Sequence, residues 1–166
     1  MCTDVARVVS PLPPTTITNM ARSDETASYR FNHTMYRIKD PKASLEFYQD
    51  VLGMELIDKM QMEEFTLYFL GYQHQHGVSR SKREGLLELT HNHGSENDPN
   101  VSYHTGNSEP RGYGHICVSV ANIEEACARF EKLGVKFQKR LTDGKMKNIA
   151  FILDPDGYWV EIIQQE

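Results

Sequence analysis

Four residues have the types and the placement to hold a divalent cation: His33, Glu88, His115 and Glu161. Glu161 poses the question most sharply. It stands between Val160 and Ile162 in YWVEIIQ, after the turn signal Asp154-Pro155-Asp156-Gly157. Aromatic and β-branched neighbours predict a strand, and alternation puts Glu161 on the face of Trp159 and Ile163. An unpaired buried carboxylate costs several kcal/mol, so either that face is wet or the carboxylate has a partner. Glu88 has a similar setting in LLELT, while His33 opens HTMYRI and His115 opens HICVSV. Imidazole nitrogens and carboxylate oxygens suit Zn²⁺, Ni²⁺, Fe²⁺ or Mn²⁺. One strand histidine or glutamate is ordinarily a satisfied core group or a wet surface group. Four in equivalent places form the donor set of an open catalytic centre, with water completing the shell.

The elements that must position them repeat. HTMYRI (33–38) reads as a strand, and Asp40-Pro41 reads as an N-cap with proline at the first helical position. Leu45, Tyr48 and Leu52 follow at helical spacing, up to a stop at Gly53. MELIDKM, FTLYFLGY and GLLELTH are three further strands, the last two separated by the polar loop QHQHGVSRSKRE. HICVSV (115–120) begins the plan again. Asn122 with Glu125 resembles a capping box, and Ile123, Ala126, Cys127, Phe130 and Leu133 form a helical stripe ending at Gly134. VKFQKRL, NIAFILD and YWVEIIQ complete it. The interval from His33 to His115 is also the interval from Tyr48 to Phe130, so each half is β-α-β-β-β in the same register. The expected fold class is α+β, with two tandem βαβββ modules forming curved mixed sheets. The first spans 29–93, a linker 94–112, and the second 113–166, together one compact domain (29–166) after a flexible or extended arm, 1–28. Each half is too small to bury much surface alone, and needs the other half or a second chain against its open face.

Composition narrows the function. A net charge of −5 gives no basic field for nucleic acid and no cationic helix for a membrane surface. No apolar run approaches the roughly 20 residues of a membrane span. Cys2, Cys117 and Cys127 show no CxxC spacing, so free thiols in a reducing compartment, the cytoplasm, are expected, with Cys117 and Cys127 as core filler. His74, His76, His91, His93 and His104 lie in polar segments and are expected to face solvent.

With these residues in view, the chain resembles the glyoxalase I (lactoylglutathione lyase) family of the vicinal-oxygen-chelate superfamily. TMYRIKDPKASLEFYQDVLGMEL, FTLYFLGY, LELTHN, GNSEPRGYGHI, LGVKF, DGKMKNIAFILDPDGYW and VEI carry the resemblance. It implies metal ligands at His33, Glu88, His115 and Glu161, with one divalent ion per site, Zn or Ni, and Co possible. It implies a homodimer whose sites lie at the interface, the first pair from one chain and the second from the other. Glutathione, the co-substrate, would be bound by Arg37, Asn92, Arg111, Lys139 and Lys145, which agrees with the charge-assisted bonds its two carboxylates call for. Phe69, Leu87 and Met146 would line an apolar pocket. The loop between YFLGY and LLELT is short, as in Ni²⁺- or Co²⁺-activated members, while the N-terminal extension is a feature of long-form members.

The implied reaction isomerises the hemithioacetal of methylglyoxal and glutathione to S-lactoylglutathione through a metal-stabilised enediolate. A glutamate moves the proton between neighbouring carbons. Glu161 is the expected base, and Glu88 can do the same work from the opposite face. Two other activities share the fold plan. An Fe²⁺ extradiol dioxygenase uses two histidines and one glutamate, against the second glutamate here. A drug-binding protein of bleomycin-resistance type needs no metal cluster.

Overall fold

The computed structural model describes residues 23–166; Cys2 and most of the expected N-terminal arm lie outside the described residues. Residues 24–26 form one 3₁₀ turn. The chain then runs β1 (His33–Ile38), α1 (Pro41–Glu46), β2 (Glu55–Gln61), β3 (Phe65–Gly71), β4 (Leu86–Asn92), β5 (His115–Val120), α2 (Ile123–Lys132), β6 (Phe137–Lys139), β7 (Ile149–Leu153) and β8 (Trp159–Gln164).

These strands make two four-stranded sheets of the same topology, β1-β4-β3-β2 and β5-β8-β7-β6. In each, the first strand pairs parallel with the last, and the remaining pairs are antiparallel. Parallel pairing of first and last strands needs a crossover. The helix and the two strands between them supply it. The two modules share one core: Tyr36, Ile38, Tyr48 and Leu89 of the first pack in one cluster with Val118, Phe130, Val160 and Ile162 of the second. Neither half closes its hydrophobic face alone.

Local chemistry explains the helix ends. Asp40 accepts the amide of Lys42 at 2.8 Å, and Asn122 accepts those of Glu124 and Glu125 at 3.0 and 3.1 Å, satisfying first-turn donors. Gly53 and Gly134, at φ 71° each, end the helical segments in a conformation that costs glycine nothing. The first helix differs from the expected single α-helix: after Glu46 it widens into a π-helical turn over Phe47–Val51, with Leu52 N–H reaching Phe47 O at 3.2 Å. The extra width seats Phe47 and Tyr48 together in the core. β6 is shorter than VKFQKRL predicts, because its register on β7 slips between Phe137 and Lys139. His91 is buried, not solvent-facing: it lies on the core side of β4, and its Nε2 meets Glu96 Oε2 at 2.7 Å. Among the described residues no helix is long and apolar enough to cross a membrane.

Candidate active site

β1 alternates faces, so Tyr36 and Ile38 enter the core while His33, Met35 and Arg37 point away from it. In the parallel register Met35 is opposite Glu88 and Arg37 opposite Thr90, which puts Glu88 on the same outer face as His33. Their side chains meet there, His33 Nε2 and Glu88 Oε2 being 3.0 Å apart. The hydroxyl of Thr90 donates to the other Glu88 oxygen at 3.4 Å. Phe69, opposite Glu88 on β3, sets its ring edge-on to His33 at 5.7 Å.

The second sheet repeats this arrangement. His115 is opposite Trp159 and Cys117 opposite Glu161, and His115 Nε2 lies 3.2 Å from Glu161 Oε2. Phe151, opposite Glu161, packs edge-on to His115 at 5.2 Å. Sequence reasoning missed Phe151, although it follows Phe69 by the same interval that separates the two histidines. The two glutamates are closer together than that interval, because the β3–β4 connection, 72–85, is much longer than the β7–β8 connection, 154–158.

Cys117 is not core filler. It is exposed on this outer face beside Glu161. Partial desolvation of its sulfur, reinforced by the Glu161 carboxylate, pushes the thiol up to about 11, so it stays protonated at neutral pH. Cys127 is buried in the core as expected.

The remaining candidates divide by place. Arg37 and Asn92 lie on the outer face of the first sheet, opposite Thr90 and Phe65, and both are exposed. Lys139, opposite Phe151, shares the outer face of the second sheet, where its ammonium donates to the carbonyls of Met146 at 2.6 Å and Ile149 at 2.8 Å. Lys145 and Met146 sit exposed on the turn between β6 and β7. Arg111 is in the linker, its Nε on Glu109 Oε1 at 2.9 Å. Leu87 does not join Phe69 on the outer face. Its partners are Thr34 and Leu70, and it is buried in the shared core.

The donor set suits a divalent ion, and so does the spacing within each pair. Two ligands at right angles on bonds of about 2.1 Å stand about 3.0 Å apart, close to both separations seen here. Within one chain, however, the described residues bring no three His, Cys, Asp or Glu side chains together in a group that could hold a metal ion. The chain carries two separate histidine–glutamate pairs, one on each sheet.

Known proteins share this plan. Residues 30–162 match the model of the Glyoxalase/Bleomycin resistance protein/Dioxygenase superfamily. A lactoylglutathione lyase of Schizosaccharomyces pombe is 54% identical over 153 residues, covering 88% of this chain and 51% of that protein. The chain thus spans about half the length of that relative. A lactoylglutathione lyase of Pseudomonas putida is also 54% identical over 153 residues, covering 84% of this chain and 87% of that one. Among solved structures, the trypanothione-dependent glyoxalase I of Leishmania major superposes with a TM-score of 0.65 at 33% identity, covering 82% of this chain and 87% of that one.

Proposed function

The chain belongs to the glyoxalase/bleomycin resistance protein/dioxygenase superfamily, and from that premise we propose that it acts as a metal-dependent lactoylglutathione lyase. It would isomerise the hemithioacetal of methylglyoxal and glutathione to S-lactoylglutathione in the cytoplasm. The observation that carries the reading is the histidine–glutamate pair, present once on each sheet with the same edge-on phenylalanine.

His33 and Glu88 of one chain, with His115 and Glu161 of a second, would hold the ion at the interface of a homodimer. β1 and β5 support this, since each is an edge strand of its sheet. A bound divalent ion, Zn²⁺ or Ni²⁺, with Co²⁺ a third choice, would stabilise negative charge developing on the substrate oxygens. Glu161 takes the proton from one substrate carbon and returns it to the next. Its side chain is 20% exposed against 12% for Glu88, which is further tied by the Thr90 hydroxyl. The freer carboxylate is the better candidate to move a proton. Arg37 and Asn92 from one face and Lys139 from the other, with Arg111 and Lys145 in flanking loops, hold the glutathione carboxylates and amides. Phe69 and Phe151 keep the reacting end dry.

The test is thioester formation, followed by ultraviolet absorbance, from methylglyoxal and glutathione. Demetallated protein is expected to be inactive, and Ni²⁺, Co²⁺, Zn²⁺ or Mg²⁺ added back separately is expected to restore turnover selectively. Full turnover by demetallated protein, or none with any ion, overturns the reading.

A further inference from the structure

The two histidine–glutamate pairs are not equivalent, and the difference lies outside the four proposed ligands. Asn32, the residue before His33, places its amide oxygen 2.8 Å from His33 Nδ1. Its amide nitrogen donates to two main-chain carbonyls, Arg80 O and Arg83 O, at 2.8 Å each. A carbonyl only accepts, so both contacts require the NH₂ end of the amide there. The oxygen end is therefore committed to His33. An amide oxygen also only accepts, so Nδ1 must carry a proton. That leaves Nε2 as the nitrogen able to bind a cation, and Nε2 is the atom 3.0 Å from Glu88.

The carbonyls that fix Asn32 are themselves held. Arg83 N–H closes a turn on Arg80 O at 3.2 Å, and Arg83 Nε donates to Val78 O at 2.9 Å. The Arg80 guanidinium binds Asp58 Oδ2 at 2.9 Å and lies over the Phe69 ring at 4.2 Å, the same ring that supports His33. Gly85 and Leu86 N–H reach Phe31 O and Asn32 O at 3.1 and 2.9 Å. The long β3–β4 connection is thus a strap stitched to the start of β1.

The second half has no counterpart. Gly114 precedes His115 and has no side chain. Among the described residues, nothing hydrogen-bonds to His115 Nδ1, and its ring rests on Phe151 and Glu161. The β7–β8 connection is too short to reach back as residues 79–85 do.

We propose that Asn32 is a positioning residue. It holds the His33 imidazole with Nδ1 protonated and Nε2 presented for metal, making the first pair the fixed half of the centre and the second the adjustable half. The metal-binding part of this inference rests on the proposed function; the hold of Asn32 on His33 does not.

Two substitutions separate positioning from tethering. Asn32→Leu removes both the acceptor for His33 and the donor for the strap. Asn32→Asp keeps an acceptor for Nδ1–H but cannot donate to the two carbonyls. Zn²⁺ affinity, measured by competition with a chelator, is expected to fall about 10- to 100-fold in Asn32→Leu and to fall clearly less in Asn32→Asp, whose carboxylate still accepts from Nδ1–H although its other oxygen is repelled by the two carbonyls. The His33 Nδ1 proton, followed by nitrogen-edited NMR in metal-free protein, is expected to be protected from exchange in wild type and Asn32→Asp, and unprotected in Asn32→Leu. Equal weakness of both variants would mean that Asn32 only ties the strap, and an unprotected wild-type proton would mean that it does not hold His33; either overturns the inference. A wild-type protein with the protected proton but no Zn²⁺ affinity instead overturns the proposed function.

Discussion

Glu161 sits in an apolar strand because its face is the open one, with His115 3.2 Å away. If it moves the proton, Glu161→Gln should lower kcat about 10²- to 10⁴-fold, while metal content after dialysis stays substantial, because an amide oxygen can still ligate. Near-normal turnover in that variant would transfer the base role to Glu88 or to another group. The four ligand candidates were legible because side-chain alternation along a strand and a strand order that recurs in the second half are one-dimensional signals. The same alternation, followed residue by residue, also explains where the reading departs from the structure. Leu87 is next to Glu88 and must face the other way; Cys117 is two past His115 and must face the same way; His91 is three past Glu88 and turns into the core. Asn32 was not legible, since its partners come from residues 80 and 83, which only the folded chain brings near.

The turn Asp154–Gly157 reads in sequence as a connection between two strands, and in the structure it also joins the modules. Asp154 Oδ1 accepts the amides of Asp156 at 3.0 Å and Tyr158 at 2.8 Å, and Oδ2 accepts the Tyr48 hydroxyl at 2.9 Å. Tyr48 in turn hydrogen-bonds Tyr36. Asp156 accepts Lys39 N–H at 3.1 Å. These partners from the first module are remote in sequence, so the turn was legible but its role as a joint was not. Burial pushes the Asp154 carboxyl up to about 7, with Asp156 adding to it, despite the donors that favour the charged form. Burial also raises the surrounding phenols of Tyr36, Tyr48, Tyr113 and Tyr158, so they remain neutral. The unfolded chain ionises this aspartate near pH 4, the folded chain only near pH 7. Between those values the folded state holds the extra proton, so stability falls as pH rises, by up to about 4 kcal/mol for this group alone. Asp154→Asn keeps the oxygen for both backbone amides and has no charge to bury. Urea unfolding at pH 5 and pH 8 should show the variant gaining on wild type at the higher pH. A difference that does not change with pH would mean that Asp154 is ionised throughout.

At the scale of the whole molecule, the question is how the two histidine–glutamate pairs would form the one proposed centre. The repeated modules close a shared core, which fixes the two sheets in one body, yet no three candidate ligands of a chain gather at one point among the described residues. In the proposed homodimer a two-fold axis would resolve this, bringing the first pair of each copy to the second pair of the other and producing two identical complete sites. Complementation follows. His33→Ala and His115→Ala each damage both sites of their own homodimer. In a mixed dimer of the two, one site receives both lesions, and the other receives His33 from one chain and His115 from its partner, both intact. Co-expression with random pairing gives half mixed dimers with one good site of two, so activity should recover to about a quarter of wild type. Mixed dimers isolated through two different tags should carry about half and bind one ion instead of two. If the four ligands instead belonged to one chain, every chain in the mixture would carry a lesion in its own site, and the isolated mixed dimer would be no more active than its parents.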